Sequence, residues 1–349
     1  MNVSAAPSPP GFDGLRYPLP DDETRILACP ACDGKNRVLL GRALEQPDKL
    51  RCGRCQAAMF CAPDAALSAL PSLAARYQHP LDQRSLAALE SVPGVSALVR
   101  KLVEATVERY DRVFHQSSFV RVGAGQLSGL LKLFERAATR LGFRELPELY
   151  VYAHSDVNAH TGGIERPYVA ITSPLIELMT EDELLAVMAH ELAHIQSQHV
   201  LYKTAARLLS RATTELLGAT LGIGNLLVLP LQLALLKWDR CSELTADRGM
   251  LLATRDPALS LGVLMKLACG SARLFAGQLG ELSLVQFMDQ ALKARQAPEE
   301  NVLDRLYTVM QTVSRTHPFP LWRAAELWQW ACRGEYLDLL QPPRIERLT

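Results

Sequence analysis

Hydrophobic positions recur at helical spacing through most of the chain after residue 94. Leu98, Leu102 and Val103 are followed by apolar residues at three- and four-residue steps, namely Leu127, Leu130, Leu131, Phe134, Ala138 and Leu141. This spacing places apolar side chains on one face of a helix. Two short segments, Glu148 to Ala153 and Pro167 to Thr172, carry Tyr and Val in alternation, which favours β-strands. The pattern predicts an α+β fold, mainly helical with a small β-sheet.

Local composition divides the chain into four parts. Residues 1–25 are rich in Pro, Ser and Gly and predict a flexible leader. Residues 26–62 contain most of the cysteines, and residues 63–93 place four prolines between short Ala/Leu runs, which predicts a partly helical linker. Residues 94–349 carry the helical pattern. We therefore expect one large domain that a small cysteine-rich module precedes.

The composition and the charge balance of the chain exclude some classes of protein and favour others. The chain has 349 residues, of which 48% are hydrophobic, enough to bury a sizeable core. Lys plus Arg and Asp plus Glu both number 37, and this balance does not favour a nucleic-acid partner. The first residues lack the basic and apolar regions of a secretory signal. We therefore expect a cytoplasmic protein, in which cysteines bind metal more often than they form disulfides.

Four of the eight cysteines have the spacing of a structural zinc site. Cys29 and Cys32 form C-P-A-C, and after nineteen residues Cys52 and Cys55 form C-G-R-C. Two tight turns can each present a pair of thiolates, and four thiolates complete a tetrahedral shell around Zn²⁺. Metal binding would supply most of the folding energy of so small a module. Cys61 is expected to be an ordinary small residue.

The segment 26–62 resembles the amino-terminal zinc ribbon of some bacterial thioredoxins. The resemblance rests on CPACDGKNRV followed by LRCGRCQAAMF, and no thioredoxin domain follows. It implies a zinc ribbon, and both a module that recruits substrates and a purely structural appendage stay open.

The segment His190–His194 reads H-E-L-A-H and carries the sharpest chemical signal. Thr180 followed by Glu183 forms a capping box that predicts a helix start. At a spacing of four, His190 and His194 project from one face of that helix, with Glu191 beside them. Two imidazoles can bind zinc while the carboxylate of Glu191 takes a proton from the attacking water.

A catalytic zinc needs a third protein ligand, and three residues are candidates. His199 follows the motif at a spacing that does not fit the metzincin pattern, so we expect it at the surface near the helix end. His317 lies in a loop-like Thr-His-Pro segment. Glu243 and Asp247 share a helix face, so one can bind zinc while the other reaches a histidine ring N–H. We favour Glu243.

The combined motifs resemble the HtpX and CAAX-prenyl-protease family of zinc metalloendopeptidases. They are HELAH, E-x-x-x-D about fifty residues later, T-H-P followed by Arg323, and Asn158-Ala159 before a β segment. The resemblance covers about residues 95 to 335. The resemblance implies a gluzincin fold whose sheet edge holds the substrate in extended form. The site residues that it implies are His190, His194 and Glu243 as ligands, Glu191 as base, Asp247 behind the ligands, and His317 and Arg323 near the cleft.

His317 is expected to act on the substrate. Pro318 restricts the backbone of the residue before it, and the family resemblance places this loop at the cleft. We therefore predict that His317 donates a hydrogen bond to the oxyanion that forms during peptide hydrolysis.

An uncharged segment at residues 216–236 raises the question of a membrane. It lies between Glu215 and Lys237 and is long enough to span a bilayer, but it contains several Gly, an Asn and Pro230. A single crossing would also separate the HELAH helix from Glu243. We therefore predict a bent hairpin that is buried in the protein or that rests on, or re-enters, a membrane at its inner face.

The sequence thus predicts a zinc endopeptidase that binds two Zn²⁺ ions per chain, one catalytic and one structural. Polypeptides are the expected substrates, including misfolded or membrane-associated ones. Two alternatives stay open: a chaperone-like binding module with little hydrolysis, and a zinc hydrolase that acts on substrates other than peptides.

Overall fold

The computed structural model describes residues 23–62, 67, 73–106, 108–217, 224–271, 274, 282–296, 317 and 319–342. Most of the predicted leader, up to residue 22, lies outside these ranges. The predicted α+β class is confirmed. The helices are α1 (Leu40–Glu45), α2 (Leu73–Tyr77), α3 (Pro80–Glu90), α4 (Val95–Thr106), α5 (Glu108–Ser118), α6 (Ser128–Arg140), α7 (Ser173–Leu178), α8 (Glu181–Gln196), α9 (Val200–Leu217), α10 (Gly224–Thr254), α11 (Pro257–Cys269), α12 (Leu284–Gln296), α13 (Pro320–Arg333) and α14 (Glu335–Leu340).

The strands form two sheets. A two-stranded antiparallel sheet pairs β1 (Thr24–Ala28) with β2 (Lys35–Leu39). The larger sheet has the order β3-β4-β6-β5, and its strands are β3 (Val120–Arg121), β4 (Glu148–Tyr152), β5 (Ala159–Gly162) and β6 (Tyr168–Thr172). The two β segments predicted from Tyr and Val alternation correspond to β4 and β6, which pair in parallel. β5 is an edge strand that runs antiparallel to β6.

The HELAH helix, α8, is enclosed by other elements of the described structure. Its capping box is present, because Thr180 N–H donates to Glu183 Oε2 at 2.8 Å and Glu183 N–H donates to Thr180 Oγ1 at 3.4 Å. All residues from Glu183 to His194 are buried, since α6, α10, α11 and the sheet pack around the helix. The helix predicted from the capping box is therefore confirmed. Over these residues it is buried on all sides, unlike an amphipathic helix at the protein surface.

Helix α10 packs closely against α8 where Gly249 faces Ala193. A Cβ atom built on Gly249 would lie 2.3 Å from the Cβ of Ala193. Only a residue without a side chain allows the two helix backbones to approach this closely. The same approach brings Glu243 and Asp247 of α10 beside the histidines of α8.

The cysteine-rich module packs against the end of the chain. Arg25 Nη2 donates to Cys332 O at 2.9 Å, Cys61 N–H donates to Leu340 O at 2.9 Å, and Gln341 Nε2 donates to Ala28 O at 3.2 Å. Leu27, Cys52 and Met59 belong to the same buried cluster as residues of α13 and α14. The module therefore shares the core of the large domain.

The predicted linker, residues 63–93, contains α2 and α3. Helix α3 packs on α10, and its Asp82 is fully buried. The sequence analysis predicted a linker from the prolines of this segment and did not predict that it places a side chain in the protein interior. The four-part division of the chain stays a prediction.

Of the predicted hairpin at 216–236, residues 216 and 217 end α9 and residues 224–236 form the first part of α10, whereas residues 218–223 are outside the described part of the chain. Within the part that is described, no helix combines the length and the apolar composition that a membrane crossing requires.

The Gly249 contact gives a stability prediction. Gly249→Ala should lower the free energy of unfolding by about 1–3 kcal/mol, because the added methyl group overpacks the α8–α10 contact. Gly129→Ala is the matched control, since a Cβ at Gly129 in α6 meets nothing within 4 Å; it should leave the free energy of unfolding unchanged or raise it by up to about 1 kcal/mol. Chemical denaturation measures both, and equal effects of the two variants would contradict the close contact.

Candidate functional site

Helix α8 presents His190 and His194 on one face. Their ring centroids lie 4.8 Å apart, as a spacing of four residues dictates. Both rings are buried, and the Nε2 atoms of both have no hydrogen-bond partner within the described structure. Buried nitrogens without a partner are costly unless something else binds them.

Helix α10 supplies the carboxylate that faces these nitrogens. Glu243 Oε2 lies 3.4 Å from His190 Nε2, and Glu243 Oε1 lies 3.2 Å from His194 Nε2. Two ligand atoms at about 2.0 Å from a tetrahedral zinc ion are separated by about 3.3 Å. The three side chains therefore fit a zinc ion in both chemistry and spacing.

His317 completes a cluster of four potential ligands. One donor atom each from His190, His194, Glu243 and His317 lies within 4.8 Å of the others. His317 Nδ1 is 2.8 Å from Glu243 Oε2, and its Nε2 is 2.9 Å from the carbonyl oxygen of Ala159 in β5. The ring thus bridges the cluster and the sheet edge. Pro318, on which the sequence argument relied, lies outside the described residues.

Asp247 and Arg323 hold the far side of His190. Asp247 Oδ1 lies 3.0 Å from His190 Nδ1. Arg323 of α13 donates to both oxygens of Asp247, at 2.8 and 2.6 Å, and its Nη1 lies 3.2 Å from Glu243 Oε2. The structure therefore brings both residues to the cluster. Arg323 is fully buried and its guanidinium is engaged by these carboxylates, although its side chain also lines the cavity described below.

Lys203 of α9 was missed by the sequence analysis. Its Nζ donates to Glu243 Oε1 at 2.7 Å and lies 2.8 Å from Asp239 Oδ1. Burial alone would raise the pKa of Glu243, but His317, Lys203 and Arg323 together lower that pKa well below its usual value. The carboxylate is therefore ionised, as a metal ligand must be. No local pattern distinguishes Lys203 from a solvated lysine on an amphipathic helix.

The two histidines differ in their electrostatic setting. Burial lowers the pKa of His194 well below its usual value, and Lys203 acts in the same direction. Burial also opposes protonation of His190, but the carboxylates of Asp247 and Glu243 raise its pKa to about 9. A cation at His190 Nε2 would therefore displace a proton when it binds.

His199 is not at the surface, and that prediction is wrong. Its ring is fully buried; Nδ1 lies 2.9 Å from His194 Nδ1, and Nε2 lies 2.9 Å from Asp82 Oδ2. His199 therefore reaches the back of His194 and not the cluster of ligand atoms. The chain turns after α8 because Gln198 adopts a left-handed conformation, with φ of 58°, and this turn directs His199 inward.

Glu191 borders a cavity next to the cluster. The cavity has a volume of about 400 Å³, and Glu191, His190, His317 and Asn158 line it together with apolar residues of α8, α10 and α11. Glu191 Oε1 is buried without a hydrogen-bond partner in the described structure and lies 3.5 Å from His317 Nε2. A carboxylate that borders a cavity beside a candidate metal position can accept a proton from water.

The four cysteines of the amino-terminal module converge. Cys29 Sγ lies 3.7 Å from Cys55 Sγ, and Cys32 Sγ lies 3.7 Å from Cys52 Sγ. Thiolates at about 2.3 Å from a tetrahedral zinc ion are about 3.8 Å apart, so the geometry fits zinc and excludes a disulfide. Cys61 lies outside this group.

Comparisons with known proteins agree with this geometry. A chloroplastic plastoglobule-localized metallopeptidase 48 of Arabidopsis thaliana is 34% identical over 76% of this chain and 75% of its own length. An HtpX protease homolog of Sulfurovum sp. is 30% identical over 42% of this chain and 59% of its own length, and one of Ralstonia pickettii is 26% identical over 59% and 74%. No match to a solved structure is found.

The match to a family model covers the elements that build the cluster. The model for peptidase family M48 matches residues 128–331, which include α8, α10, His317 and most of α13. The expected resemblance to HtpX-like proteases is confirmed, and this chain belongs to peptidase family M48.

Proposed function

We propose that His190, His194 and Glu243 hold the catalytic zinc of this M48 endopeptidase. The observation that carries the proposal is the convergence of two buried Nε2 atoms on the two oxygens of one carboxylate, at 3.4 and 3.2 Å. Asp247, which Arg323 holds in place, lies 3.0 Å from His190 Nδ1 and can thereby orient the ring for metal binding.

Glu191 is the general base of the proposed reaction. When bound, zinc supplies a Lewis acid that acidifies water and polarises the scissile carbonyl. A Glu191 carboxylate oxygen takes a proton from the attacking water while the oxygen of that water bonds to the carbonyl carbon. Glu191 then delivers this proton to the leaving nitrogen as the C–N bond breaks.

His317 stabilises the oxyanion in this proposal. Its ring lies 5.4 Å from that of His190, measured between centroids, and contacts Glu243 and the edge strand β5. A donor at this position can form a hydrogen bond with the carbonyl oxygen that strengthens as negative charge develops on it. β5 is an edge strand of the sheet, and its Ala159 lines the cavity. An edge strand can bind an extended polypeptide through backbone groups, which supports polypeptide substrates.

We also propose a second, structural zinc at Cys29, Cys32, Cys52 and Cys55. The module that carries these cysteines contacts α13 and α14 through backbone and side-chain hydrogen bonds. Its zinc would therefore stabilise the end of the chain that supplies Arg323.

The cellular setting also stays a proposal. We retain a cytoplasmic location and a peripheral contact of residues 216–236 with the inner face of a membrane, where misfolded or membrane-associated polypeptides would be met. The support is the uncharged sequence of that segment. Cell fractionation followed by carbonate extraction tests it: we expect the protein in the membrane fraction and its release by carbonate. A protein that stays soluble and never sediments with membranes would contradict the contact, and full resistance to carbonate would show insertion instead.

The proposed role of Glu191 predicts that its substitution lowers activity without loss of the catalytic zinc, whereas substitution of a zinc ligand loses both. Glu191→Gln should lower kcat for casein by about 10²- to 10⁴-fold and keep the catalytic zinc. Glu243→Ala should lose that zinc, because it removes a ligand. Activity assays with elemental analysis test both variants. Retention of both zinc and activity by Glu243→Ala would contradict the proposed ligand set.

The two metal sites predict a zinc content of about two ions per chain. Cys32→Ser should lower this to about one and lower the melting temperature, because the thiolate site supplies folding energy. Cys269→Ser is the matched control, since Cys269 belongs to neither metal cluster, and it should keep both ions. A Cys32→Ser protein that keeps two zinc ions would refute the thiolate site.

Substitution of His317 separates its possible roles. His317→Ala should lower kcat by about 10²- to 10³-fold while KM and zinc content change little, because the lost hydrogen bond strengthens only in the transition state. An unchanged kcat would contradict the proposed role. Loss of zinc would show instead that His317 is a ligand.

A further inference from the structure

A row of three buried side chains extends from the metal cluster. His194 Nδ1 lies 2.9 Å from His199 Nδ1, and His199 Nε2 lies 2.9 Å from Asp82 Oδ2. All three residues are fully buried, so water does not replace these contacts. The row reaches from α8, through the turn before α9, to α3.

The ends of the row determine where its protons lie. His194 Nε2 faces Glu243, and an imidazole nitrogen that binds a metal needs a free lone pair. The proton of His194 is therefore on Nδ1 and is donated to His199 Nδ1. His199 must then carry its proton on Nε2, which donates to the carboxylate of Asp82. With His194 Nε2 free to bind a metal, this placement of the two protons gives both contacts of the row a donor and an acceptor.

The carboxylate of Asp82 is itself held by donors from α10 and from the segment between α2 and α3. Trp238 Nε1 donates to Oδ1 at 2.9 Å, and Thr245 Oγ1 and Gln78 Nε2 donate to Oδ2 at 2.7 and 3.0 Å. Trp238 and Thr245 lie on α10, on either side of Glu243 in the sequence. The same helix therefore anchors both a candidate ligand and the far end of the row.

We propose that Asp82 and His199 are positioning residues that fix the tautomer and ring orientation of His194 for metal binding. A hydrogen-bonded partner at the second nitrogen of a metal-binding histidine commonly has this effect. The inference rests on the ligand role of His194 proposed above. Asp82 precedes the residues that match the family model, so the segment predicted as a linker contributes to the metal site.

The test measures zinc affinity by competition with a chelator. His199→Phe keeps a ring against Trp238, whose centroid is 5.5 Å from that of His199, but removes the acceptor. We expect it to raise the Kd of the catalytic site by about 10- to 100-fold. His199→Asn places an amide oxygen near the position of Nδ1 and should restore much of the affinity. Zinc at the thiolate site is measured with Glu243→Ala and subtracted.

A matched control removes a different buried histidine. His115 of α5 lies 3.1 Å from the hydroxyl of Tyr168, packs against aromatic rings of the sheet, and is outside the row. His115→Phe should leave the zinc affinity unchanged. Histidine ¹⁵N NMR of the zinc-loaded protein should also show His194 as the Nδ1–H tautomer in the wild type. The Nε2–H tautomer at His194 would show that Nε2 does not bind zinc and would refute the ligand role on which the proposal rests.

The outcomes separate this inference from the ligand assignment. If His194→Ala loses the catalytic zinc while His199→Phe binds zinc as tightly as the wild type, the positioning role is refuted and the ligand set stands. If His194→Ala keeps full zinc affinity, the ligand set itself fails. Should His199→Phe not fold, Asp82→Asn gives the same test, because it keeps the size of the side chain, and an unchanged Kd would overturn the proposal.

Discussion

The site depends on one electrostatic constraint: the negative charges of four buried carboxylates must be balanced by nearby positive charges. Glu191, Asp239, Glu243 and Asp247 are all buried, and the cations in contact with them in the described structure are Lys203 and Arg323. In the metal-free site a proton on His190, whose pKa is raised to about 9, offsets part of this negative charge. When the imidazoles are neutral, as metal binding requires, Lys203 and Arg323 leave two of the four negative charges without compensation. An unpaired buried charge is very costly, and one divalent cation between His190, His194 and Glu243 would balance this deficit.

The fold meets this constraint by joining segments that are far apart in the sequence. The contact of Gly249 with Ala193 sets α10 against α8 and places Glu243 and Asp247 beside the two histidines. Helix α13 adds Arg323, and α3 adds Asp82. The cysteine-rich module in turn contacts α13 and α14. A metal site of this kind is therefore sensitive to packing well outside its ligands.

Local patterns in the sequence predicted the parts of the site that lie within one helix. The capping box at Thr180, the four-residue spacing of His190 and His194, and the same spacing of Glu243 and Asp247 all follow from helical periodicity. Two C-x-x-C pairs likewise predicted a cluster that the structure shows. Burial of His199 was not predictable, because it follows the end of α8, where periodicity no longer assigns a face. Asp82 and Lys203 were missed because only long-range packing distinguishes them from solvated charges.

Anomalous diffraction at the zinc absorption edge tests the metal centre most directly. Crystals of the protein purified without added metal should show one peak about 2.0 to 2.1 Å from His190 Nε2 and His194 Nε2 and about 2.0 to 2.2 Å from a Glu243 oxygen, and a second among the four cysteine sulfurs at about 2.3 Å. A peak that contacts the two histidines but not Glu243, or no peak beside α8, would contradict the buried charge balance proposed for this peptidase.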